Sequence, residues 1–152
     1  MFAPRDIIYG YAKGLYRPKY KYAVSIFKDA KLNILAQFTT NQDRRGYTID
    51  AGKVIGTNPQ TGSDFCLPKR TVLAYDYGFL YGTEQQLISQ LDNPEIVCRM
   101  NEDEYINMVY ALYRKRLFAF RVQAFFRKGF DGFLQMICSM NNHHTRRKRI
   151  GK

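Results

Sequence analysis

The chain is poor in the residues that much enzyme chemistry depends on. Its two histidines, His143 and His144, are adjacent and lie in the last ten residues. Neighbouring positions on a helix or strand point to different places, so this pair does not make a metal site. No histidine is left in the body of the chain for a Ser–His or Cys–His couple. The cysteines Cys66, Cys98 and Cys138 are odd in number and lack a CxxC spacing. That removes a disulfide framework and a thiolate zinc site, and fits a reducing, cytoplasmic setting. Neither GxGxxG nor GxxxxGK[ST] occurs, and Gly10-Tyr11-Ala12-Lys13-Gly14 has the wrong spacing for a phosphate loop. Carboxylates are sparse in the basic N-terminal half and nothing places two together, so a two-metal nuclease is not indicated. No apolar stretch of about 18 residues is present, and residues 1–11 lack a signal-type apolar run; neither a membrane span nor export is expected.

What is present describes a folded, basic domain. The 152 residues are 45% hydrophobic and 24% charged, long enough to bury a core and too apolar for wholesale disorder. The formal net charge of +11 makes nucleic acid or another polyanion the first partner to test. The excess is localised: residues 1–112 hold 13 Lys and Arg against 12 Asp and Glu, while residues 113–152 hold 11 against Asp131 alone. Residues 1–45 are a second basic region, with nine basic and three acidic residues.

Asp6 to Tyr11 and Lys21 to Phe27 are short and rich in β-branched and aromatic residues, and read as the first two strands. Lys13-Gly14 and Arg17-Pro18 break the pattern between them as a loop. Asp29 to Asn33 reads as a turn and Ile34 to Thr40 as a third strand, with Thr39 and Thr40 at its exit. Residues 41–63 form a long Gly- and Asn-rich excursion with short strands at Tyr47 to Ile49 and Lys53 to Ile55. Thr71 to Tyr75 is a further strand, Tyr77 to Tyr81 a short one, and Thr83 to Gln90 a brief helical turn. Asn101 then stands as a helix cap, with Glu104 three residues on and Tyr105, Met108, Val109 and Leu112 at i, i+3, i+4 and i+7. The carboxylates Glu102 to Glu104 suit the positive end of that helix. The apolar period continues through Leu117, Phe120 and Ala124, and a second helix is expected from Asp131, ending in a polar tail beyond Asn141. The division expected is therefore a body over 1–112 and a basic helical extension over 113–152.

RNA carries its own nucleophile in the 2′-hydroxyl, so cleaving it needs no histidine, metal or cofactor. It needs alignment, neutralisation of charge on the phosphoryl oxygens and help with proton movement, which Arg or Lys plus a hydroxyl can supply. Arg17, Lys19, Lys21, Thr39 and Thr40 are groups of that kind. Threonine in strands and lysine in loops are, in most proteins, a β-former and a solvated charge.

The order of the segments resembles the PemK/MazF family of toxin endoribonucleases. Arg5-Asp6-Ile7-Ile8 answers that family's first strand, Arg17-Pro18 the dipeptide leading into its second, and Ala36-Gln37-Phe38-Thr39 its third. Lys69 to Tyr75 answers a later strand, and Met100 to Leu112 the closing helix. The resemblance covers roughly residues 5–112 and implies a mainly β fold with C-terminal helices (α+β), a small SH3-like barrel. It also implies metal-independent cleavage of single-stranded RNA by 2′-hydroxyl attack, leaving a 2′,3′-cyclic phosphate and a 5′-hydroxyl. The expected partners are RNA, an acidic antitoxin protein and a second copy of the chain as a homodimer. The family's catalytic threonine transfers to Thr39. Its arginine has two counterparts: Arg17 keeps the dipeptide, whereas Lys21 holds the matching strand position. Lys19, Thr40, Arg44 and Arg45 are then expected to hold flanking phosphates. The extension, with Arg114, Lys115, Arg116, Arg146, Arg147 and Lys148, has three readings: a phosphate-gripping arm, a docking surface for an acidic partner, or a solvated helix and tail. A catalytically silent barrel that binds RNA or an acidic protein through this region is the rival of the nuclease.

Overall fold

The computed structural model describes residues 2–13, 19–28 and 33–115. The loop expected around Arg17, the turn expected from Asp29 and the chain from Arg116 onward, with Arg146, Arg147 and Lys148, lie outside the described residues. Among the described residues there are nine strands and two helices, so the chain is mainly β, and its strands pair antiparallel. They are β1 (Asp6–Ala12), β2 (Lys19–Lys28), β3 (Asn33–Gln37), β4 (Gly46–Ile49), β5 (Val54–Thr57), β6 (Asp64–Cys66), β7 (Thr71–Ala74), β8 (Phe79–Gly82) and β9 (Leu91–Met100). The helices are α1 (Glu84–Ser89) and α2 (Glu102–Tyr113). The chain forms two compact units, the first Met1–Asn101 and the second beginning at Glu102. The division thus falls ahead of the helix that the sequence reading groups with the body.

In the first unit, seven strands form an open sheet in the order β6-β5-β9-β1-β2-β3-β8, and β4 pairs with β7 separately. β1 and β2 form its centre because Ile7, Ile8, Val24, Ile26 and Phe27 bury almost completely, and β-branched side chains pack well on a pleated surface. Phe2, Ile8, Ala12, Ala23 and Leu35 form one apolar cluster, closed by Leu87 of α1 and by Leu91. α1 is started by a capping box, Thr83 with Gln86, which satisfies two otherwise orphaned backbone donors.

Two joints set the shape near the site. β3 ends at Gln37, three residues before the expected end. Thr39 leaves the large sheet and bridges to Val72, its amide donating to the Val72 carbonyl (2.8 Å) and its carbonyl accepting the Val72 amide in return (2.7 Å). This bridge ties the large sheet to the β4–β7 pair. Gly46 allows that pair to close, since a Cβ there would run into the backbone of Leu73.

Two strands were not expected from the sequence. β6 is a three-residue edge. β9 is ten residues long and hydrogen-bonded on both sides, yet it contains Asp92-Asn93-Pro94, which reads as a turn. The register against β1 shifts twice, and Asn93 has a positive φ of 48°, so these residues sit in bulges where a missing N–H is tolerated. In the second unit α2 carries the expected acidic first turn and buries Tyr105, Met108, Val109 and Leu112. Among the described residues no helix is long and apolar enough to cross a membrane.

Candidate functional site

The basic residues of the first unit divide by what they touch. Arg5 donates its Nε to the Met100 carbonyl (2.9 Å), Lys13 pairs with Asp92 (2.7 Å), and Lys28 reaches Glu84 (3.4 Å) and the Phe2 carbonyl (2.9 Å). Arg70 reaches Asp50 (3.7 Å) and the Gln42 side chain. These cations tie strands and loops together. Lys19, Lys21 and Lys69 make no ion pair among the described residues, and all three line one cleft of about 310 Å³. That is enough for a nucleotide-sized group. Its other walls are Tyr9, Tyr20, Tyr22, Phe38, Thr39, Thr40, Pro68 and Thr71, and among the described residues no carboxylate lines it.

Lys21 is half-buried on β2 and stands opposite Gly10, so β1 places no side chain over it. Burial, and secondarily the charge of Lys19, lowers its pKa from the ordinary lysine value. Such a cation, incompletely hydrated and next to another, gains more than an exposed lysine from an incoming anion. Burial also pushes the Tyr22 phenol above its usual range, with Tyr9 adding to the effect, so Tyr22 stays neutral and available as a hydrogen-bond donor.

Thr39 reaches the same cleft from the β3 exit. Ala23 pairs with Gln37, and the Phe38 amide donates to the Tyr22 carbonyl (2.9 Å), so the chain still runs beside β2 just before Thr39, which lines the cleft together with Lys21. The Thr39 hydroxyl accepts the Asn41 amide (3.2 Å), a turn that orients the oxygen and leaves its proton free to donate. The facing wall is fixed by the Thr71 hydroxyl, which donates to the Lys69 carbonyl (2.7 Å). Gln42 joins the walls, donating to the carbonyls of Thr40 (2.9 Å) and Arg70 (3.1 Å).

Of the residues expected from sequence, Lys19, Lys21, Thr39 and Thr40 therefore share one cleft. Arg44 and Arg45 do not line it: both are exposed, and the Arg44 guanidinium lies 4.8 Å from the centre of the Tyr77 ring. In the second unit, Arg114 and Lys115 are exposed, with Arg114 over the Tyr110 ring. Arg17 and Arg116 lie outside the described residues. Sequence reasoning missed Lys69 and the tyrosines Tyr9, Tyr20 and Tyr22. The alternation of Tyr9 and Tyr11, then of Tyr20 and Tyr22, was the available signal, since residues two apart on a strand share a face.

Among the described residues no group of three or more His, Cys, Asp or Glu could hold a metal ion. Burial, then the charge of Asp6, pushes the Cys98 thiol up to about 12, so it is not a nucleophile near neutral pH. No protein-family model, curated protein or solved structure matches the chain, and its function has to be read from the cleft itself.

Proposed function

We propose that the chain is a metal-independent endoribonuclease of the PemK/MazF kind, acting on single-stranded RNA in this cleft. The observation that carries the reading is that Lys21 and Thr39 line one open cleft with two further cations and, among the described residues, no carboxylate. A phosphodiester placed there has its charge balanced by Lys21 and Lys69, and a non-bridging oxygen within reach of the Thr39 hydroxyl. The 2′-oxygen attacks phosphorus, the bond from phosphorus to the 5′-oxygen breaks, and the proton lost by the 2′-hydroxyl is matched by one gained at the leaving oxygen. The products are a 2′,3′-cyclic phosphate and a 5′-hydroxyl. Lys21 offsets the charge that builds on the phosphoryl oxygens, which is where preorganised electrostatics contribute most. Thr39 donates to the same oxygens and holds the phosphate in line.

The finer reading of the fold, a small SH3-like barrel, is part of this proposal and comes from the family resemblance. A homodimer, an acidic antitoxin and a cytoplasmic setting belong to the same proposal. The rival, a silent module that binds RNA without cutting it, is favoured by one observation: the cation on β2 is a lysine. Its point charge lacks the planar fork with which arginine grips two phosphate oxygens at once.

The test is incubation of purified protein with single-stranded RNA in EDTA and analysis of the product ends. Cleavage that yields cyclic phosphate, and is lost in Lys21→Ala and Thr39→Ala variants of unchanged fold, is the expected result. Undiminished cleavage in both variants rejects the site, and binding without cleavage by the wild type selects the silent module.

A further inference from the structure

Four tyrosines crowd the end of the β1–β2 hairpin beside the cleft, and they are arranged as a ladder. Tyr20 stacks on Tyr9 with ring centres 5.3 Å apart and planes within 18°. Tyr9 continues to Tyr22 at 4.6 Å, and Tyr22 meets Phe65 edge-on at 6.0 Å. Tyr11 meets Tyr20 in a T-shaped contact at 5.3 Å. Cross-strand register builds this arrangement, because Tyr9 pairs with Tyr22 and Tyr11 with Tyr20. The ladder has one open end: Tyr20 is 55% exposed although Tyr9 covers one of its faces. An aromatic ring held rigid by two others, with an uncovered surface in a cleft that also contains Lys19, Lys21 and Lys69, has what a base-stacking platform requires.

We infer that Tyr20 is a nucleobase-binding platform, on which one base of a single-stranded RNA stacks while the adjacent phosphate lies against the cleft lysines. The inference rests on the reading of the cleft as an RNA site and adds a recognition role separate from the cutting. Because every base has a π-face, stacking of this kind selects unpaired strands over duplex and tolerates many sequences.

The probe is a short single-stranded 2′-O-methyl oligonucleotide, which lacks the attacking hydroxyl, titrated onto the full chain. An otherwise identical probe carries abasic sites. Tyr20→Leu is expected to weaken binding of the first probe about tenfold and to leave its salt dependence unchanged, since a ring releases no counterions. Tyr20→Phe is expected to bind as the wild type does, and the abasic probe to bind wild type and Tyr20→Leu equally. Equal affinity of wild type and Tyr20→Leu for the base-bearing probe would overturn the platform, as would wild-type protein binding abasic and base-bearing probes alike. A lower melting temperature in Tyr20→Leu with affinity unchanged would assign the ring to hairpin packing and likewise overturn it. Failure of RNA cleavage leaves these outcomes readable, because the probe is not cleavable; a tenfold loss without any cleavage by the wild type would sustain the platform and reject the nuclease.

Discussion

Along β2, Ala23 to Phe27 are all buried, whereas Lys19 and Tyr20 are exposed and Lys21 and Tyr22 are half-buried. Both halves belong to the same hairpin with β1 and are held by the same backbone ladder. The buried half needs apolar volume, since each methylene there contributes to a core packed at crystal-like density. The exposed half needs none of it, yet places two cations and two tyrosines together, one of those cations at a desolvation cost. A cation kept half-buried without an ion pair among the described residues gains nothing for the fold by being charged. The lesson is a division of labour along one strand, with the core half positioning the cleft half.

Breaking the core half is expected to have the largest effect. Ile26→Ala removes a fully buried side chain and should cost about 2–5 kcal/mol of stability, read by denaturant unfolding. Where the variant is still folded, its affinity for RNA should be near that of the wild type. Lys21→Ala is the converse. It should lower cleavage about a hundredfold, the size typical of losing one electrostatic stabiliser, with a melting temperature equal to or above the wild type's. A large stability loss in Lys21→Ala would erase the contrast between the two halves.

The pH dependence sharpens it further. Because the folded state depresses the Lys21 pKa, the unfolded chain binds more protons between that depressed value and the ordinary one. Stability should therefore rise with pH across that window, while RNA affinity falls as Lys21 loses its proton. Parallel unfolding and binding titrations check the opposed slopes, and Lys21→Ala should flatten both. The smallest effect is expected at Arg44. Its guanidinium sits over Tyr77 outside the cleft, so Arg44→Ala should weaken RNA binding less than threefold. Lys69→Ala should weaken it more and lower the salt slope by about one.

Much of the fold was legible because local chemistry and final structure agree. Ile7, Ile8 and Val24 announce strands, and the Asn101 to Leu112 period announces α2 within one residue of its ends. β9 was not legible, because Asn93 and Pro94 are turn formers by local preference and are accommodated in a strand only through bulges that long-range pairing imposes. The site divides in the same way. Lys21 and Thr39 were readable as residue types and as a family-like pair. Lys69 and the tyrosine ladder depend on which strands become neighbours, and Lys69 lies 47 positions beyond Tyr22, the hairpin's last tyrosine.

The central claim is that Lys21 and Thr39 serve one phosphodiester. A double-mutant cycle on the cleavage rate, comparing the wild type with Lys21→Ala, Thr39→Ala and the two combined, tests it most directly. Two groups acting on one phosphate predict a combined variant scarcely slower than the worse single variant. Losses that simply multiply would mean that the two side chains work independently, and would contradict the shared site.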